Sequence, residues 1–374
     1  MVALRSFLLS FLFVLASLFF LKLVIAAESP PDRQQLLNNL VEGARKEGEL
    51  VVFGISSLGE RGAKAYGEAF KTRFGLNNLR FKYSTEGMYG EIFSKAIMET
   101  KMGLQPTYDV MNGPDHRGVT LMEVDGVEPI EHWQMLLPEG VNPRFASPSP
   151  VAGNAFLFAT RIKANNFNEK LISYEEMPRS TRDVGSQQYK GKFYTSPWPT
   201  AAQFGILEYS KEEWIKIMQG WGRNKLTTLR SGAGLKRMAL GEFAFEPFSN
   251  AYYHVQYKER GDPIGLHIFE DITPLSYVFH IVRKGARNSN AAKLFALWAT
   301  GPEAVQIFEK YTGTGNLYIK ESRVGSTVAN LVRKKGGKTV SWFDSQENFR
   351  ILKWYATKEG QAYEDQMSLA LGLR

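Results

Sequence analysis

The chain has no cysteine. An exported protein without cysteine has neither a disulfide nor a thiol on which to carry a lipid, so it relies on its core alone. Any metal it holds must be bound through oxygen or nitrogen. Histidine is scarce as well: there are five, at positions 116, 132, 254, 267 and 280, none at the spacing of a metal-binding pair. No H-E-x-x-H, no G-x-S-x-G and no G-x-x-x-x-G-K-[ST] occurs, and Gly313-Thr314-Gly315 lacks the last glycine of a dinucleotide loop. The motifs of zinc proteases, serine hydrolases, P-loop enzymes and nicotinamide enzymes are therefore missing, and the chain reads as a non-enzyme, with an exported enzyme as the remote alternative. Long apolar runs are missing too, apart from the first one.

That first run, Phe7 to Phe20, follows Arg5 and ends near Lys22, with Ala26 and Ala27 behind it. It has the form of a secretory signal peptide over residues 1–27 and implies a periplasmic protein. The alternative is an uncleaved membrane anchor, since Phe7 to Ala27 could nearly span a bilayer. The net charge of +8 suits an anionic ligand or surface. The charge is dispersed, with one concentration at Arg333-Lys334-Lys335 and Lys338, which reads as a solvated loop; nothing specifies nucleic acid. A chain of 374 residues is long enough for two domains.

The stretch Glu47 to Gly75 organises the first of them. Glu49-Leu50-Val51-Val52-Phe53 is a short apolar run between Gly48 and Gly54, as in a buried parallel strand. Ser56 and Ser57 follow, then Ala63, Tyr66, Ala69, Phe70 and Phe74 at helical spacing. Strand, hydroxyl turn, helix is the order that places free N–H groups and a positive helix end at the carboxyl end of a strand, an anion site in waiting. The plainer role for Ser56 or Ser57 is to cap that helix.

Asp32 and Gln35 have capping-box spacing ahead of an apolar stripe from Leu36 to Ala44. Leu79 to Tyr83 is a second strand, Ser84 to Gly87 a turn, and Ile92, Phe93, Ala96 and Ile97 mark a helix. Tyr108 to Met111 is a third strand, broken by Asn112-Gly113-Pro114. This βαβαβ order implies a parallel sheet with helices on both faces and its polar turns along one edge.

Prolines 138, 143, 148 and 150 crowd the region that follows, which reads as an approach to a crossover. Val151 to Thr160 is strand-like. Phe193 to Pro197 is a strand running into a polar turn, with a helix near Ala201 to Tyr209 and another through Trp214, Ile217, Met218 and Trp221. Leu235 to Gly241 is helical, Phe243 to Phe248 a strand, and Ser249 to His254 a turn opening a helix. Ser276 to Val282 is a strand, Asn290 a candidate cap for a helix through Leu294 and Trp298, and Pro302 the first residue of the next. The aromatics of these last helices read as core. Glu347 to Leu373 is helical, and there is no internal repeat. The organisation expected is lobe 1 over 28–149 and 266–325, lobe 2 over 150–265, and 326–374 as C-terminal helices packed on lobe 2.

This order resembles the type II periplasmic solute-binding proteins of ABC importers, in the ferric-ion-binding branch. The residues that carry the resemblance are Glu47-Gly48-Glu49-Leu50-Val51-Val52, Tyr108-Asp109-Val110, Pro178 and Asp183, Tyr189-Lys190-Gly191-Lys192, Gly241-Glu242, Asn250-Ala251-Tyr252-Tyr253, Lys284-Gly285-Ala286, Ala291 to Phe295 and Gly301 to Val305. The resemblance implies an α/β fold of two lobes that close on a ligand, and a membrane permease that reads the closed form. A receptor kinase is the alternative partner. The family's members imply a monomer with no cofactor of its own.

Tyr252 and Tyr253 match the paired phenolates of ferric-binding members; Fe(III) lowers a phenol's pKa and a phenolate is a strong oxygen donor. Ser57 stands where many ferric members have histidine, and Asn112-Gly113-Pro114 where they often have glutamate. The ligand implied is therefore Fe(III) with a synergistic anion, or else a small organic or phosphorylated anion. The cleft residues expected are Ser56, Ser57, Gly87, Asn112, Thr195, Ser196, Asn250, Tyr252 and Tyr253, with the two tyrosines as metal ligands if iron binds.

Overall fold

A computed structural model describes residues 32–87, 89–197, 199–224 and 227–373. The apolar leader lies outside these residues. The chain divides into two compact units, Met1–Asn39 and Leu40–Arg374. In the first, Asp32 Oδ1 accepts from Gln34 N at 3.3 Å, within the opening of helix α1 (Arg33–Glu47).

The second unit holds every strand found among the described residues. β1 (Glu49–Phe53), α2 (Gly59–Phe74), β2 (Arg80–Ser84), α3 (Tyr89–Lys101) and β3 (Val110–Pro114) form the expected βαβαβ unit, and β1 pairs in parallel with both β2 and β3. α4 (Asp115–Glu123) and the single turns α5 (Trp133–Leu136) and α6 (Pro143–Ala146) lead to β4 (Phe156–Asn168). Beyond it lie β5 (Tyr194–Thr195), α7 (Lys211–Arg223), β6 (Thr227–Thr228), α8 (Ser231–Ala239), β7 (Phe245–Asn250), α9 (Tyr252–Glu259) and β8 (Ile264–His267). β9 (Thr273–Val282), α10 (Ser289–Trp298), α11 (Pro302–Thr312), α12 (Arg323–Lys334), β10 (Thr339–Val340), α13 (Gln346–Tyr355) and α14 (Lys358–Ala370) complete it.

The strands run in the order β2-β1-β3-β9-β4-β7, with β10 beside β9 and β8 beside β4; β5 and β6 pair separately. The parallel pairings in this sheet are β1 with β2, β1 with β3, and β10 with β9. β9 runs antiparallel to both β3 and β4, because the chain returns to the sheet after a long excursion. β4 changes company along its length: Phe156 to Ile162 pairs with β9, and Lys163 to Asn168 pairs with β7 and β8.

Four local expectations are corrected. Asn112-Gly113-Pro114 does not break the third strand; those residues pair with His280, Phe279 and Val278 of β9. β4 continues eight residues past Thr160, since Asn165, Asn166 and Asn168 are buried there with hydrogen-bond partners, which makes polar residues tolerable inside a sheet. The helix near Ala201 is a 3₁₀ run over Pro199–Leu207. The cap of α10 is Asn288, not Asn290, whose N–H and Nδ2 instead donate to Glu47 Oε1 at 3.0 and 2.7 Å.

The aromatic helices do supply core. Phe295 and Trp298 of α10 pack on Tyr66 and Phe70 of α2, with ring centroids 4.9 to 5.6 Å apart. Among the described residues no helix is long and apolar enough to cross a membrane.

Candidate functional site

Chain direction puts several polar segments at one end of the sheet. β1 ends at Phe53, and Gly54 follows because Tyr83 occupies the space a side chain would need: a Cβ there would lie 1.8 Å from Tyr83 Cζ. The Tyr83 hydroxyl thereby reaches Ile55 N–H, which donates to it at 2.8 Å. Ser56 and Ser57 come next, exposed, in a 3₁₀ turn leading into α2. Neither hydroxyl caps that turn or α2, so the capping role does not consume them. Gly87, exposed and at φ +93°, ends the turn after β2 just ahead of Tyr89.

Asn112 has a different place from its neighbours. It is fully buried inside β3. Its amide nitrogen faces Phe53 O at 3.1 Å and its oxygen faces Ile55 N at 3.2 Å. It fastens the end of β1, behind the hydroxyl turn.

The other group lies on β4, β5, β7 and α9. Thr195 and Ser196, at and just past the end of β5, are half-buried. Asn250 closes β7; its Oδ1 accepts from Lys163 Nζ at 2.7 Å and its carbonyl from Asn166 Nδ2 at 3.1 Å. Tyr252 and Tyr253 open α9 with ring centroids 4.4 Å apart. Burial raises the Tyr253 pKa well above the ordinary phenol value; the Tyr252 hydroxyl and the Glu246 carboxylate push it the same way, and Arg161 opposes them.

Arg161 is the residue that joins the two groups. It stands on β4 opposite Ser276 of β9. Its Nε is buried with no hydrogen-bond partner. The same guanidinium acts on Tyr253 of α9 and on Tyr89 of α3, whose phenol pKa burial raises while Arg161 and Arg117 hold it down. Tyr89 itself sits edge-on to Phe53 of β1 at 5.4 Å. A cation with an unsatisfied donor can take an oxyanion by charge-assisted hydrogen bonds.

Arg161, Lys163 and Tyr89 are absent from the residues expected from sequence. The signal was there for two of them: Arg161 and Lys163 are basic at alternate positions, one face of a strand whose neighbours are apolar. Ser56, Ser57 and Gly87 follow β1 and β2, whereas Tyr252 and Tyr253 open α9. Among the described residues no group of three or more histidine, aspartate or glutamate side chains could hold a metal.

No family model and no curated protein matches this sequence. Solved structures do. The substrate-binding protein of an ABC transporter from Agrobacterium tumefaciens superposes with a TM-score of 0.66 at 15% identity, covering 86% of this chain and 94% of that one. The chain has the fold of the ABC-transporter substrate-binding proteins. That fold is α/β, with two lobes. Trichodesmium IdiA (FutA), solved with iron and citrate, gives 0.62 at 18% identity over 86% and 99% of the two chains. The periplasmic binding protein AfuA from Actinobacillus pleuropneumoniae, solved with fructose-6-phosphate, gives 0.62 at 18% over 87% and 99%.

Proposed function

We propose that this chain is the solute-binding component of an ABC import system and that it captures an anionic solute against Arg161. Lobe 1, residues 28–149 and 266–325, supplies Tyr89 and the turn at Ser56 and Ser57. Lobe 2, residues 150–265, supplies Asn250, Tyr252 and Tyr253. Residues 326–374 pack as its C-terminal helices. The protein is exported, works as a periplasmic monomer, hands its solute to a permease at the inner membrane and does no chemistry of its own. The observation that carries the reading is the Arg161 guanidinium, whose Nε is buried without a partner and whose charge acts on phenols of both α3 and α9. A binding protein gains by keeping such a donor unsatisfied until the ligand arrives, because the ligand then contacts both lobes only in the closed form.

The test is a thermal-shift and calorimetric screen of the mature chain with citrate, inorganic phosphate and hexose phosphates, repeated on Arg161→Gln. The reading expects at least one anion to raise the melting temperature of the native chain and none to raise that of the variant. Equal shifts in both proteins would refute it.

A second reading has support of its own. The adjacent phenols of Tyr252 and Tyr253 suit Fe(III), with Arg161 holding a synergistic anion. Fe(III)-citrate should then produce a phenolate-to-iron colour that Tyr252→Phe with Tyr253→Phe abolishes. A colourless native protein, unmoved in melting temperature, would leave the organic or phosphorylated anion as the solute.

A further inference from the structure

Glu246 is a carboxylate with 1% exposure on β7, four residues ahead of Asn250. Three hydroxyls point at it. Tyr194 donates to Oε2 at 2.8 Å, Ser249 to Oε2 at 2.5 Å and Ser231 to Oε1 at 2.8 Å. Burial raises the Glu246 pKa, and the bonds from the three hydroxyls oppose that by favouring the carboxylate, whose two oxygens can accept all three. The donors come from three different elements, β5, β7 and the first residue of α8. Two of the three adjoin residues proposed for the site: Tyr194 precedes Thr195 and Ser196, and Ser249 precedes Asn250. The arrangement has been given room. A Cβ on Gly234 of α8 would lie 2.1 Å from Tyr194 Cε2, so only glycine lets that ring pass to reach Glu246.

We propose that Glu246 is a positioning residue: its carboxylate fixes the ends of β5 and β7 and the start of α8, and so sets the placing of Thr195, Ser196, Asn250 and Tyr253 around the solute. Lys163, whose Nζ bonds Asn250 Oδ1, also favours the charged form of Glu246. A glutamine of the same shape carries no charge and would have to donate from its amide nitrogen to one of the three hydroxyls, so the network could keep its members only by reversing one bond. Calling these residues solute-binding rests on the function proposed above; the anchoring itself does not.

The test uses the full mature chain labelled with 3-fluorotyrosine, without added ligand, so that failure to find a solute leaves it intact. Resonances are assigned by single Tyr→Phe changes. Glu246→Gln should shift the fluorine signals of Tyr194 and Tyr253 by more than a line width and leave those of Tyr66 and Tyr355, in remote packing, in place. Ser231→Ala, which removes one donor and keeps the carboxylate, should shift Tyr194 less in the same direction; it decides the matter if Glu246→Gln does not fold. Unmoved Tyr194 and Tyr253 signals, or equal movement of all four, would overturn the proposal.

Discussion

His280 lies nearly parallel on Phe158, with ring centroids 4.0 Å apart and planes 17° from each other, and neither of its ring nitrogens has a hydrogen-bond partner. Burial alone pushes its pKa down from 6.5 to about 3. His267, buried beside Asn165 and lowered further by Lys335, goes down to about 4. In the unfolded chain both imidazoles take up a proton near the ordinary value, so as pH falls the unfolded state gains protons first. The stability these residues contribute is complete above pH 6.5 and drains away toward pH 3 to 4. Each adds a slope of roughly 1.4 kcal/mol per pH unit in that window. His280→Phe keeps the stacking and removes two unsatisfied nitrogens. It should raise stability by about 1 kcal/mol at pH 7 and by more at pH 5. Urea unfolding at the two pH values measures this; an unchanged pH slope in the variant would contradict it.

Arg161 should govern affinity for the anion. Hydrogen bonds to a charged group contribute about 1.5–3 kcal/mol, so Arg161→Gln should weaken the tightest-binding anion on the order of tenfold to a hundredfold. Arg161→Lys keeps the charge without the planar fork and should recover only part of the loss. Titration calorimetry at two salt concentrations checks both. Equal affinity in the Gln variant would rule out the guanidinium as the anion's anchor.

Arg283 and Glu99 form a buried ion pair at 3.2 Å. Arg283 also donates to Ala96 O at 3.0 Å and to Gly126 O at 3.3 Å, and Thr107 donates to Glu99 at 2.5 Å. Burial lowers the Arg283 pKa, and Glu99 opposes that. Removing one member strands the other, so Glu99→Leu alone should cost about 3–5 kcal/mol. Arg283→Met with Glu99→Leu should cost less than the sum of the single changes. A double-mutant cycle by chemical unfolding reads the difference, and strict additivity would show that the two do not depend on each other.

Gly54→Ala should damage the hydroxyl turn from behind. Its new Cβ would fall on the Tyr83 ring and push the phenol off Ile55 N–H. Overpacking of this kind costs about 1–3 kcal/mol. Gly54→Ala with Tyr83→Ala should restore part of that stability by clearing the ring, whereas Gly59→Ala, at φ +62° with open space around it, carries backbone strain only. Melting temperatures of the three variants test the ranking.

Much of the fold was legible because it is written locally. The βαβαβ unit follows from apolar runs of strand length alternating with helical stripes, and β1, α2 and β2 fall within a residue or two of where periodicity puts them. Pro302 opens α11 as its fixed φ suggests. The adjacent tyrosines were readable as a pair because neighbours in sequence at a helix start stay neighbours in space. What misled was polarity inside strands: Asn112, Asn165 and Asn166 look like turn residues until their partners are known.

The sequence by itself determined the class of fold, the strand-turn-helix order that stacks polar turns at one end of a sheet, and the Tyr252-Tyr253 pair. Only the tertiary structure decided which polar residues have partners and which do not. Asn112 is buried inside β3 against the end of β1, Arg161 keeps a buried Nε without a partner, and Glu246 gathers hydroxyls from three elements. The reason is one of distance along the chain: Tyr194 meets Glu246 across 52 residues and Lys163 meets Asn250 across 87. Whether a buried charge is satisfied depends on such partners, and no local pattern encodes them.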